Sequence, residues 1–176
     1  MIEGWTERGA RGLEGLWEPE IGLYLDHDLL SGELLRACTI AGFAPLVAGH
    51  VSPERLGDLL DMLDSPAFMG NPRLHRPLPP STSPEDPGFH PRSYWRGPTW
   101  PVFNWLLWWS LNRAGESERA EQLRRASLAQ LAEGGFGEYF DPFSGRSLGS
   151  TDQSWTAAVA LDWLASGAEQ EVWEAA

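Results

Sequence analysis

Three stretches of this chain are apolar or small on every side at helical spacing, and they alternate with stretches that are apolar on one side only. Residues 35–49 run Leu35-Arg36-Ala37-Cys38-Thr39-Ile40-Ala41-Gly42-Phe43-Ala44-Pro45-Leu46-Val47-Ala48-Gly49, with Pro45 marking a kink or a restart. Residues 100–113 and 153–165 read the same way, through Val102–Leu111 and Trp155–Leu164. A helix without a polar face belongs inside a structure. Residues 52–64 differ. Ser52 is placed to cap, Pro53 opens the helix, and Leu56, Leu59, Leu60 and Leu63 recur at i, i+3, i+4 and i+7 with Asp58, Asp61 and Asp64 opposite. Residues 117–132 repeat that pattern, with Ser117 as cap, Ala120, Leu123, Leu128 and Leu131 as the stripe, and Gly134-Gly135 as the stop. Residues 2–17 carry Ile2, Trp5, Leu13, Leu16 and Trp17 at rough helical spacing, interrupted by glycines.

Inner helices alternating with one-faced outer helices fit two concentric shells, an all-α chain forming part of an α/α toroid. About three helical hairpins are countable, and no regular sheet is implied. A partial toroid leaves its inner helices uncovered on one side, so the chain is expected to be a fragment with a missing N-terminal half, to pair with another chain such as a second copy, or to close as a smaller bundle. Residues 22–28 alternate like a short strand, and Leu30-Ser31-Gly32 closes a turn. Residues 65–92 form one long proline-rich loop within a single domain spanning 1–176, and an acidic tail follows the last helix.

Net charge bounds the partners. At −12, the chain lacks the cationic face that nucleic acid or an anionic membrane surface requires. The lone Cys38 rules out an internal disulfide. No apolar run reaches membrane-spanning length, and the first residues lack the apolar core of a secretion signal, so the expected location is cytoplasmic. The triplet Asp26-His27-Asp28 is not read as a metal site, because alternation on a strand separates His27 from both aspartates. No metal or cofactor is expected.

Ten tryptophans are several times ordinary usage, and four of them sit at loop–helix junctions: Trp17, Trp95, Trp100 and Trp155. The segment Arg92-Ser93-Tyr94-Trp95-Arg96-Gly97-Pro98-Thr99-Trp100-Pro101 joins three rings, a guanidinium and a Gly-Pro turn. Flat rings beside a fixed charge suit a sugar, which has apolar C–H faces and polar edges; the same rings serve equally as core aromatics. A second segment runs Gly134-Gly135-Phe136-Gly137-Glu138-Tyr139-Phe140-Asp141-Pro142-Phe143-Ser144-Gly145, followed by Gln153-Ser154-Trp155-Thr156. Gly135 and Gly137, just before Glu138, let the backbone turn tightly and aim a carboxylate, which either caps or pairs structurally or acts as a base. Asp141 before Pro142 reads as a turn residue.

Together the two segments resemble glycoside hydrolase family 63, which holds processing α-glucosidases and mannosylglycerate hydrolases. The resemblance is closest to the mannosylglycerate hydrolase branch and runs from about Trp17 to Leu164, matching only the C-terminal part of such an enzyme. It implies a toroid of six hairpins and inverting hydrolysis of an α-linked glycoside such as mannosylglycerate or glucosylglycerate. It assigns Glu138 as the general base. Gln153 and Trp155 resemble the family's Ser-Trp-Thr segment, which lines the same pocket; Tyr94, Trp95, Trp100 and Tyr139 are the candidates for the sugar-binding walls, and Arg96 is the candidate to hold a substrate carboxylate such as glycerate, which a guanidinium matches bidentately. The family's general acid is an aspartate on a Gly-Trp-Asp loop of the first half, and this sequence has no counterpart to it. Gln153 stands where relatives often have an aromatic residue. A second reading is therefore a carbohydrate-binding module without turnover, and a third, resting on Gln153-Ser154-Trp155, is a helical scaffold or terpene-cyclase-like toroid.

Overall fold

The computed structural model describes residues 2–49 and 51–174, with side chains for residues 4–49 and 51–166. The side chain of Ile2 in the first expected helix, and most side chains of the expected acidic tail, fall outside those described. In chain order the elements are α1 (Ile2–Glu14), β1 (Trp17–Glu18), β2 (Leu23–Tyr24), β3 (Asp26–His27), β4 (Leu34–Leu35), a 3₁₀ turn (Ile40–Phe43), α2 (Ala44–Ala48), α3 (Pro53–Asp64), α4 (Pro101–Arg113), α5 (Ser117–Gly134), β5 (Tyr139–Phe140), β6 (Ser147–Leu148) and α6 (Ser154–Glu174). The strands pair as three antiparallel two-stranded ribbons, β1–β2, β3–β4 and β5–β6, so the fold is helix-rich with small ribbons between helices.

The one-faced helices form where their patterns place them. Ser52 caps α3 by accepting the Arg55 backbone N–H at 3.3 Å, and Leu59, Leu60 and Leu63 are buried. Gly135, at φ 72°, ends α5. The cap of α5, however, is Glu116 and not Ser117, which is already the first helical residue.

The three all-apolar stretches depart from expectation. Residues 35–49 do not form one buried helix: only the 3₁₀ turn and the five-residue α2 are present, and Pro45 sits in the first turn of α2. The reason is close approach. A Cβ on Gly42 would lie 2.5 Å from Leu23 Cγ and 2.7 Å from the Tyr24 carbonyl, so the segment is laid directly against β2. The other two stretches are helices but are not enclosed. On α4 the buried residues are Pro101, Asn104, Leu107, Ser110 and Leu111, while Phe103, Trp105, Leu106 and Trp109 are half-covered. On α6, Thr156, Val159, Ala160 and Trp163 are buried at i, i+3, i+4 and i+7, whereas Leu161 and Leu164 are 69% and 57% exposed. The α6 helix also continues to Glu174 through the segment expected as tail.

Two cores flank α4. The larger one joins Leu23 and Tyr24 of β2, Phe43, Leu46, the α3 leucines, Leu78, Leu107, Leu111, Ala120 and Leu123; the smaller joins Leu131, Phe140, Val159, Ala160 and Trp163, and Trp108 packs against both. The segment between α3 and α4 holds no helix or strand but is packed: Phe68, Leu78, Ser81, Thr82 and Ser83 are buried. One contact in it positions everything that follows. Thr99 and Phe140 exchange both backbone hydrogen bonds at 2.9 Å, which fastens the residues before α4 to β5.

Candidate active site

That Thr99–Phe140 pair brings the Tyr94–Trp100 segment beside Glu138. The Glu138 backbone N–H donates to the Ser150 carbonyl at 2.8 Å. Its carboxylate is held at both oxygens: Oε1 accepts the Tyr94 hydroxyl at 2.7 Å, and Oε2 accepts the Ser150 backbone N–H at 3.2 Å. The preceding residue is anchored too, since the Thr156 hydroxyl donates to the Gly137 carbonyl at 2.8 Å. Glu138 thus neither caps a helix nor pairs with Arg96 or Arg146. Its charge is met by two neutral donors, and it holds the Tyr94 phenol above its ordinary pKa by accepting that hydrogen bond.

The rings form an ordered stack. Trp95 and Trp100 lie parallel with centroids 4.2 Å apart and planes 10° apart, and Trp100 stacks in turn on Tyr139 at 4.8 Å and 23°. Trp100 is therefore covered on both faces and is 1% exposed. Its faces are taken by Trp95 and Tyr139. The outer ring is Trp95, 52% exposed. Tyr94 stands edge-on to Trp95, Trp100 and Tyr139, as the ring quadrupoles favour.

The remaining sequence candidates are placed as follows. Arg96 is exposed, and its Nε donates to the Gly88 carbonyl at 3.1 Å. Gln153 is tied to the Glu138 loop by its backbone N–H, which donates to the Phe136 carbonyl at 2.9 Å. Trp155 is 41% exposed on the first turn of α6 and lies outside the ring stack. Asp26 and His27 are exposed on β3, and among the described residues no group of three or more His, Cys, Asp or Glu is placed to hold a metal.

Sequence reasoning missed Ser150 and Gly149. Gly149 has φ 71°, and a Cβ there would lie 2.5 Å from Glu138 Oε2 and 2.6 Å from a Tyr139 ring carbon. The only available signal was local: Gly145 and Gly149 bracket β6 as turn residues do.

Asp141 is a turn residue, as its place before Pro142 suggested. Its Oδ1 accepts the Phe143 and Ser144 backbone N–H groups at 3.0 and 3.2 Å, and Oδ2 accepts Arg92 Nε at 2.7 Å. Burial works to raise this carboxyl, but the Arg92 guanidinium and the two N–H donors outweigh it and hold the pKa below the ordinary value. A carboxyl depressed in the fold stabilises above its unfolded pKa, and that stabilisation is lost as pH falls through the folded value. Asp141→Asn is expected to cost about 1–2 kcal/mol at neutral pH. The gap to the unaltered chain should shrink on acidification below about pH 4, as read by urea unfolding across that range.

One gripped carboxylate, an exposed indole face and a turn-borne tyrosine thus stand together. Residues 1–156 match the family described as the mannosylglycerate hydrolase MGH1-like glycoside hydrolase domain. The chain belongs to this family. Among MGH1-like relatives, glucosylglycerate hydrolase from Mycolicibacterium hassiacum is 46% identical over 160 residues, covering 91% of this chain and 36% of that protein. Mannosylglycerate hydrolase from Thermus thermophilus is 40% identical over 162 residues, covering 92% of this chain and 38% of that one. The chain thus spans a little over a third of the length of these two relatives. The glycoside hydrolase family 63 mannosylglycerate hydrolase of Thermus thermophilus, solved in complex with glucose, superposes with a TM-score of 0.85 at 39% identity, over 93% of this chain and 40% of that one. Neutral trehalase from Saccharomyces cerevisiae superposes with a TM-score of 0.66 at 16% identity over 88% of this chain, a likeness of fold alone.

Proposed function

We propose that this chain carries the general-base side of an inverting glycoside hydrolase site acting on glucosylglycerate or mannosylglycerate, as the later three hairpins of a six-hairpin α/α toroid. The observation that carries the reading is the Glu138 carboxylate, fixed at both oxygens by Tyr94 and Ser150 beside the open face of Trp95. In the proposed step Glu138 takes a proton from water. The water oxygen bonds to the anomeric carbon as the bond to the leaving oxygen breaks, and that oxygen takes a proton from an acid on a first half of the site. Inversion needs the two carboxyl groups about 6.5–9.5 Å apart, with room for the water.

The uncovered faces of α4 and α6 support this reading. Trp155, Leu161 and Leu164 are exposed on α6, and half-covered rings line α4. Apolar faces of that extent call for a cover, either a first half or a second copy. The substrate assignment leans on the relatives, which are glucosylglycerate and mannosylglycerate hydrolases, and on the related Thermus thermophilus mannosylglycerate hydrolase solved in complex with Tris and D-glycerate. Arg96, next to Trp95 in the chain, is the proposed cation for the glycerate carboxylate, which a guanidinium meets with two hydrogen bonds. A cytoplasmic location belongs to the same proposal.

The test is complementation. The chain is mixed with the part of the Mycolicibacterium hassiacum glucosylglycerate hydrolase that it does not match, and sugar release is followed by proton NMR. Glucose should appear only with both parts present, and its first anomer should be the β form. Binding of glucosylglycerate without turnover would replace this reading with that of a sugar-binding module. Neither binding nor turnover would leave a helical scaffold.

A further inference from the structure

Among the described residues, Tyr94 is the one non-glycine residue with positive φ, at 20°. Side chains rarely adopt such a backbone, and where one does the surrounding structure must hold it there. Here the hold is visible. Arg96 N–H donates to the Ser93 carbonyl and His90 N–H to the Arg96 carbonyl, both at 2.6 Å, closing the turn around Tyr94. Trp100 Nε1 donates to the Tyr94 carbonyl at 3.2 Å. The ring is then clamped edge-on by Trp95, Trp100 and Tyr139, with centroids 5.0, 4.8 and 5.2 Å away.

The turn and three neighbouring rings thus hold Tyr94, though it is 42% exposed, and its phenol oxygen is on Glu138 Oε1 at 2.7 Å. We infer that Tyr94 is a positioning residue, whose clamped hydroxyl aims the Glu138 carboxylate at the water it deprotonates, and is not mainly a wall for the sugar. Two donors on two different oxygens fix the carboxylate plane. The Ser150 N–H supplies the second from the opposite strand-end. A carboxylate held only by Ser150 would swing about that one contact, and the water would meet it in a spread of orientations. This inference rests on Glu138 being the base, and it separates two jobs in the aromatic cluster: Trp95 offers the exposed face, while Trp100 and Tyr139 brace Tyr94.

The experiment has two parts. The first uses the chain by itself, with its three tyrosines labelled at the ring carbon bearing the hydroxyl. The Tyr94 phenol should titrate above free tyrosine and move back toward it in Glu138→Gln, since the carboxylate causes the rise. An unmoved titration overturns the inference and leaves the function reading intact. The second part measures Tyr94→Phe in the complemented enzyme. It should lower kcat by about 10–100-fold with KM within about threefold, because the ring and its packing stay while the aim is lost. A KM rise with unchanged kcat would return Tyr94 to the sugar wall and overturn the inference. Thermal melting of Tyr94→Phe should match that of the unaltered chain, which a merely structural role would not allow. If Glu138→Gln retains turnover, the function reading itself fails, whatever Tyr94 does.

Discussion

Replacing Glu138 by glutamine is expected to lower kcat of the complemented enzyme by about 10²–10⁴-fold, the usual contribution of a positioned general base. The substitution removes one property and keeps most others. Glutamine has the same length and shape, but its amide cannot take a proton from water. The local hydrogen bonds can still be met. The side-chain oxygen can accept the Ser150 N–H that Oε2 accepts now, and the amide NH₂ can donate to the Tyr94 hydroxyl, which rotates to accept. Folding stability should therefore change by no more than about 0.5 kcal/mol, as surface-type polar swaps do. KM should move by less than about threefold, because the wall at Trp95 is untouched. Steady-state kinetics on glucosylglycerate, with a thermal melt of the same preparation, checks all three. A variant keeping more than about a third of its kcat would show that the proton goes elsewhere, and Glu138 would be demoted to a loop anchor.

The resemblance named Glu138 and Tyr94 as candidates, but which groups hold the Glu138 carboxylate was not legible in the sequence, and the reason is range. Gly135 and Gly137 announce a tight turn next to a carboxylate, and that signal lies within three residues. The α3 stripe and the glycine stop of α5 are local in the same sense, and both appear where their patterns place them. The Tyr94 hydroxyl reaches Glu138 across 44 residues, and it arrives only because Thr99 and Phe140 pair. No periodicity encodes that pairing. The same limit explains Trp100. Composition marks it as one of a tryptophan cluster, but which ring of a stack lies innermost depends on Tyr139 closing over it from β5. Residues 35–49 fail for a different reason. Their small, apolar character reads as helix packing, yet Gly42 is small because β2 passes within contact of its Cα, and Pro45 restarts a helix of only five residues. Uniform apolarity is likewise a weaker guide than it looks on α4 and α6. It says that both sides of a helix are to be covered, not that this chain covers both.

Gly149→Ala should reduce kcat by about 100-fold, the scale of a displacement of about 1 Å in a catalytic group. Two costs combine at this position and can be separated. The first is backbone strain: Gly149 has φ 71°, where any L side chain loses about 1–2 kcal/mol. The second is contact. The new methyl would sit 2.5 Å from Glu138 Oε2 and 2.6 Å from the Tyr139 ring, so the carboxylate must rotate out of its two hydrogen bonds or the turn must open. Either movement takes the Oε2–Ser150 bond with it, because Ser150 is the next residue in the chain. Gly115→Ala supplies the control. It also has positive φ, at 86°, but nothing lies within 4 Å of its Cβ and it joins α4 to α5 away from the carboxylate. The control should lose about 1–2 kcal/mol of stability by urea unfolding and keep its kcat, whereas Gly149→Ala should lose both. Should the two variants lose activity in equal measure, the loss would belong to general destabilisation, and the close fit of Gly149 around Glu138 would carry no catalytic meaning. If Gly149→Ala alone loses activity, the turn after β6 is a working part of the base, holding the carboxylate oxygen that Tyr94 does not.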